Sequence, residues 1–173
     1  YADFASTIPG GANFDVNERD SLTYVAAERV YMRGETADAR NSFIRYLQTF
    51  PEGAFSLNAN YYIGLIDYNQ QNYASAAPYL NKVLEYPNNK YSEEAMMMSA
   101  EIAYIAKDYA QSLEWYKLLK DRASTPERRQ IATTGMLRSA AMSGNGEETI
   151  LAATAVLADA KVAPELESEA RHY

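Results

Sequence analysis

The chain has 173 residues, 47% of them apolar and 23% charged, which suits one compact domain or a short repeat array. Its net charge of −7 argues against nucleic acid and against anionic membrane surfaces, since both require clustered Lys and Arg. Without cysteine there are no disulfides, thiol nucleophiles or Cys–zinc sites, and a single histidine, His172, leaves no catalytic triad or His-based metal centre.

The N-terminus, Tyr1-Ala2-Asp3-Phe4, lacks an initiator Met and any signal-like apolar region, and reads as a trimmed piece of a longer protein. No run reaches the roughly 18 apolar residues of a membrane span. Residues 1–19 contain a break at Ile8-Pro9-Gly10-Gly11-Ala12-Asn13, and Tyr1 to Ser6 read as the tail of an earlier helix. From Ser21 the apolar residues Leu22, Val25, Ala26 and Val30 fall at helical spacing, with Asp20 as the predicted N-cap. Gly34-Glu35 ends this helix. A second helix is predicted over residues 36–49, with Ala39, Phe43, Tyr46 and Leu47 on one face, stopped by Pro51 and Gly53.

The same order recurs. Helices are predicted over 55–69 and 73–86, ended by Pro87-Asn88-Asn89. Pro78 inside the second of these is expected on the solvent side, bending the helix near its first turn. A third pair is predicted over 91–106 and 109–122, with Asp108 and Gln111 as a capping box. Thr125-Pro126 opens a fourth pair over 126–142 and 147–160, split by Ser143-Gly144-Asn145-Gly146. Pro164 to Tyr173 read as the start of a further helix. No sustained period-2 alternation suggests a strand, so the predicted class is all-α.

A repeat lies beneath this order. Tyr31, Tyr68 and Tyr104 are separated by 37 and 36 residues, and so are Ala39, Ala76 and Ser112, and Phe43, Leu80 and Tyr116. Such a period marks stacked units that cannot bury an apolar face alone. The units fall at 20–53, 54–90, 91–125 and 126–163, preceded by segment 1–19 and followed by residues 164–173.

These residues resemble the tetratricopeptide repeat family. The resemblance rests on Ala26-Ala27, Tyr31, Gly34, Ala39, Phe43, Tyr46 and Pro51 in the first unit. The second carries Ile63-Gly64, Tyr68, Tyr73, Ala76, Leu80, Val83 and Pro87, and the third Ser99-Ala100, Tyr104, Tyr109, Ser112 and Tyr116. The fourth is degenerate, with Gly146 and Thr149 at the aromatic and small positions. The resemblance implies an α-solenoid of antiparallel helix pairs in a right-handed superhelix. Phe50-Pro51-Glu52-Gly53 through Gly64, and Tyr86 to Tyr91 with Glu94-Ala95, are similar to repeats of Gram-negative envelope proteins such as the Tol–Pal coordinator and outer-membrane assembly lipoproteins. That similarity implies a periplasmic or outer-membrane-associated location.

The family resemblance also implies a concave groove lined by the inner helices. By register its candidate ligand-binding residues are Tyr24, Glu28, Tyr31, Asn58, Tyr61, Leu65, Tyr68, Asn69, Met97, Glu101, Tyr104 and Arg138. Thr134 and Met142 extend the row in the fourth unit. Tyrosines suit recognition, because they offer large apolar area and one polar tip at little entropic cost. The alternative is that the Tyr31, Tyr68 and Tyr104 ladder is inter-repeat packing, with the hydroxyls reaching water. Glu28, Glu94 and Glu101 either face a basic partner or form a solvated charged face. No phosphate loop, metal spacing or nucleophile–base pair appears, so no enzyme, metal or cofactor is expected. The expected function is a scaffold that binds a peptide, helix or loop of another protein, with self-association as a further option. Glycan binding through tyrosine and asparagine, and a spacer in a longer array, are the alternatives.

Overall fold

A computed structural model describes residues 11–158 and 164–173. The helix tail expected over Tyr1–Ser6 lies outside the described residues. Among those residues all regular structure is helical: α1 (Gly11–Met32), α2 (Thr36–Thr49), α3 (Ser56–Asn69), α4 (Tyr73–Glu85), α5 (Ser92–Ile105), α6 (Tyr109–Arg122), α7 (Pro126–Ser143), α8 (Gly146–Ala158) and α9 (Pro164–His172). The chain divides into two compact units, one running to Tyr86 and the other from Pro87.

In the first unit α1 packs on α2, α2 on α3, and α3 on α4. Its core gathers Tyr24, Ala27, Ala39, Phe43, Tyr46, Ala59, Ile63 and Ile66. The second unit repeats the plan with α5 on α6, α6 on α7, α7 on α8, and α8 on α9. Its core gathers Leu113, Met136, Leu137, Ala140, Ala152, Ala153, Val156 and Ala170.

The start of α1 corrects the sequence reading. Gly11, Ala12 and Asn13 are helical, and the helix does not wait for Ser21. Residues 15–19 are exposed, so these turns carry no apolar stripe for periodicity to detect. Asp20 is accordingly not an N-cap. It is buried, accepts a hydrogen bond from the Tyr46 hydroxyl, and accepts another from the Ala54 N–H at 2.9 Å. The Tyr46 oxygen in turn accepts from the Phe55 N–H at 2.9 Å. A carboxylate of α1 thus fixes the loop that leads into α3. Gly53 is needed there because a Cβ would lie 2.5 Å from the Tyr46 hydroxyl oxygen.

The tyrosine interval has a backbone cause. Gly34, Gln71, Lys107 and Gly144 all have left-handed backbones, with φ of 80°, 61°, 63° and 74°. They recur at steps of 37, 36 and 37 residues. In three of the four the N–H donates to the carbonyl of the laddered tyrosine: Gly34 to Tyr31, Gln71 to Tyr68 and Lys107 to Tyr104, each at 2.9 Å. The next N–H reaches further back, Asn72 to Asp67 and Asp108 to Ala103, completing a Schellman-type end. The tyrosines therefore mark the last turn of α1, α3 and α5. Tyr68 also meets Tyr73 edge-on at 5.7 Å, and Tyr104 meets Tyr109 at 5.3 Å, so each ring closes the turn within its own helix pair.

A left-handed backbone strains any residue with a Cβ. Gln71→Gly and Lys107→Gly are each expected to stabilise the fold by about 0.5–1 kcal/mol, the strain relief outweighing the added flexibility of the unfolded chain. Urea denaturation of each single variant checks this.

The small positions work as the repeat requires. Ala39, Ala76 and Ser112 are fully buried, and Thr149, the fourth-unit counterpart, is nearly so. The Ser112 hydroxyl donates to the Ala100 carbonyl at 2.9 Å and lies 2.9 Å from the Ser139 hydroxyl, joining α5, α6 and α7. Gly64 permits the close crossing of α3 and α4, since a Cβ there would sit 2.7 Å from Leu80 Cδ2. Pro78 is exposed, as expected, and α4 continues through it. Asp108 and Thr125 cap α6 and α7, accepting from the N–H groups of Gln111 and Arg128 at 3.2 Å.

One polar contact in the first unit follows no repeat. The Arg40 guanidinium of α2 grips both oxygens of Asp67 on α3, at 2.5 and 2.8 Å, and Ser75 of α4 donates to the same carboxylate at 2.6 Å. Asp67 is only 1% exposed and Arg40 26%.

Candidate functional site

The second unit contains a cleft of about 580 Å³, within the size range of ligand sites. Helix α7 forms one wall. Glu127, Gln130, Ile131, Thr134 and Arg138 recur at three- and four-residue steps, so they share a face. Helix α5 supplies Glu101 and Tyr104, one turn apart. Tyr116 of α6 and Gly135 of α7 form the floor, and Leu166 of α9 closes one side.

The floor depends on Gly135. A Cβ at that position would lie 2.5 Å from three atoms of the Tyr116 ring. Glycine lets the ring pack directly against the α7 backbone. Burial pushes the Tyr116 phenol up to about 12, helped by the negative charge of Glu101 and opposed by Arg138. Tyr116 is therefore a neutral hydroxyl across the physiological range.

Arg138 is the one Lys or Arg among the described residues lining the cleft, and its charge is matched. Its Nε and Nη2 donate to the two oxygens of Glu169 on α9, both at 2.9 Å. That bidentate pair holds the Glu169 carboxyl below its usual range. It also anchors α9, whose Ala170 is buried in the core.

The candidates named from sequence fall into two sets. Glu101, Tyr104 and Arg138 line the cleft, and so does Thr134. Met97 is half-buried on α5 between the buried Met96 and Met98, and Met142 is exposed; neither lines the cleft. The other candidates belong to the first unit. There Tyr24 is a correction: it is 3% exposed, not a surface residue. Its ring stacks on Phe55 at 4.4 Å and meets Tyr46 edge-on, because α1 turns it between α2 and the start of α3. Its hydroxyl donates to Glu28 at 3.0 Å and accepts from the Asn58 amide at 3.3 Å. These three candidates thus bond to one another.

Tyr31 is half-buried against Tyr62, 4.8 Å away, and Tyr61 meets Tyr62 edge-on. Leu65 and Tyr68 are half-buried, and Asn69 is exposed at the end of α3. Glu94 pairs with Arg128 at 3.3 Å, which also holds Glu93 at 2.9 Å.

Sequence reasoning missed Tyr116, Glu127, Gln130, Ile131, Gly135 and Leu166. Tyr116 shares its register with the buried Phe43 and Leu80 and so reads as core. The stripe from Glu127 to Arg138 was a usable signal, because Thr134 and Arg138 already lay on it.

Helix pairs closed by left-handed turns at a mid-thirties interval, with a small residue at each crossing, define an α-helical repeat protein. A family model of the tetratricopeptide repeat matches residues 24–91 and again 61–126. Together these matches cover more than half of the chain, and the chain belongs to the tetratricopeptide repeat family. The α7–α8 pair follows the matched span yet keeps the turn residue Gly144 and the small residue Thr149. Repeats of this family are in general protein–protein interaction modules, and the family is typically non-catalytic. No curated protein matches the chain. Among the described residues no helix is long and apolar enough to cross a membrane.

Proposed function

We propose that this chain is a non-catalytic interaction module whose second-unit cleft holds a segment of a partner protein. The carrying observation is the cleft itself: two tyrosines, Ile131 and Leu166 give apolar contact, and Gln130, Thr134 and the carboxylates give polar contact along one open face. That mixture suits a peptide, which needs apolar anchors and a few oriented polar partners. Trp115, the single tryptophan and the side chain best suited to stacking on a sugar, does not line it.

The test is to fill the cleft without touching its charges. Thr134→Trp is expected to weaken binding of a peptide selected on the wild type by about tenfold or more. An unchanged affinity, with the helical circular dichroism preserved, would place binding elsewhere.

The envelope location belongs to this proposal as well. It is supported by the similarity of residues 50–64 and 86–95 to envelope repeats. Fractionation of Gram-negative cells producing the full-length protein tests it, and recovery from the cytoplasm alone would end it.

A further inference from the structure

We propose that α9 is a removable wall of the cleft: docked on α8 it completes the peptide site, and released it leaves the site open on one side and weak. The Arg138–Glu169 pair is its latch. This rests on the cleft being a peptide site, and it adds how that site is assembled and dismantled.

Little holds α9 in place. It has nine residues, short of the roughly 12–15 that an isolated helix needs in water. Its helical form therefore depends on docking. Of the successive helix pairings in the second unit, α8 with α9 is the least extensive. The apolar anchors are Ala170, buried in the core, and Leu166, partly buried against it. The bidentate pair from Arg138 to Glu169 ties α9 to α7, and the Arg138 side chain is 50% exposed. An ion pair so open to water holds weakly and yields to salt. Segments held in this way detach locally while the core beneath them stays folded.

The same residues build the cleft. Leu166 closes one side of it, and Glu169 orients the guanidinium of Arg138, which lines it. Release of α9 removes an apolar contact and frees an arginine side chain that a peptide must then order. Docking of α9 and completion of the site are thus one equilibrium. By linkage, a peptide that touches Leu166 or Arg138 in the docked arrangement favours docking, and docking favours the peptide to the same degree.

Hydrogen-exchange mass spectrometry of the full chain tests the first half without any peptide. The amides of α9 should exchange about tenfold or more faster than those of α7. Glu169→Gln should quicken α9 about threefold and leave α5–α8 unchanged. Ala170→Asp puts a charge into the core contact, outside the cleft lining, and should release α9 while α5–α8 stay protected. Three results would each overturn the inference: α9 exchanging in one step with α7 and α8, an α9 rate indifferent to Glu169→Gln, or loss of protection across α5–α8 in Ala170→Asp. A peptide selected on the wild type, measured by fluorescence polarisation, reads the second half. Ala170→Asp should weaken it about tenfold, since the competent state is then rare. Unchanged affinity in Ala170→Asp, with Thr134→Trp still weakening the peptide, would overturn the coupling and leave the cleft as a peptide site. Indifference to both variants would overturn both readings.

Discussion

Replacing Arg40 with alanine is expected to destabilise the first unit by about 3 kcal/mol, the lower end of the cost of orphaning one member of a buried ion pair. The lower end applies because Arg40 is 26% exposed, so the lost partner was itself partly hydrated. What remains is Asp67 at 1% exposure with Ser75 as its bonded neighbour. In the intact protein burial pushes the Asp67 carboxyl up, but the Arg40 and Ser75 hydrogen bonds outweigh it and leave the group below 3.8. The folded state therefore binds this proton less readily than the unfolded chain. The stabilising contribution is complete above about pH 4 and is lost as pH falls through the folded value. In Arg40→Ala burial prevails, and a protonated Asp67 becomes tolerable. The gap between wild type and variant should then be widest near neutrality and narrow below pH 4. Amide hydrogen exchange in α3 and α4 at two pH values measures both effects. A gap that widens in acid would contradict this account of the pair.

Gly135→Ala carries the second large effect, and its sign is informative. In an unconstrained helix interior the change would stabilise by about 1 kcal/mol. Here the new methyl would lie 2.5 Å from three Tyr116 ring atoms. Overpacking of this kind costs about 1–3 kcal/mol, so a net loss of about 1–2 kcal/mol is expected. The loss should be relieved by making room. Combined with Tyr116→Leu, Gly135→Ala should cost far less than it does alone, giving a double-mutant coupling of about 1 kcal/mol or more. Urea denaturation of the four proteins in the cycle supplies the measurement. A stabilised Gly135→Ala protein would mean that the ring does not rest on α7.

Much of the fold was legible because it is periodic and local. The helices after α1 lie within about two residues of their predicted positions, set by Gly34, Pro51, Pro87, Thr125 and the apolar stripes between them. The α1 start was not legible, because its exposed turns lack a stripe and because a buried anchoring aspartate looks like a cap. The Arg40–Asp67 contact joins residues 27 apart and has no counterpart in the next repeat, so no interval announces it. The laddered tyrosines stood out in the sequence, yet they report the turns that follow them.

The cleft was half legible. Register alone placed Glu101, Tyr104, Thr134 and Arg138. Tyr116 and Gly135 could not be placed that way, because a floor exists only where a ring from one helix meets a missing side chain on another. Leu166 and the Glu169 partner of Arg138 arrive from α9, beyond the matched repeats, where no interval predicts them.

The most direct measurement is hydrogen-exchange mass spectrometry with and without a peptide selected on the wild type. Protection is expected in α5, α7 and α9 around Glu101, Ile131 and Leu166, abolished in Thr134→Trp. Protection confined to α1–α4, or the same protection in Thr134→Trp, would contradict the cleft as the binding site.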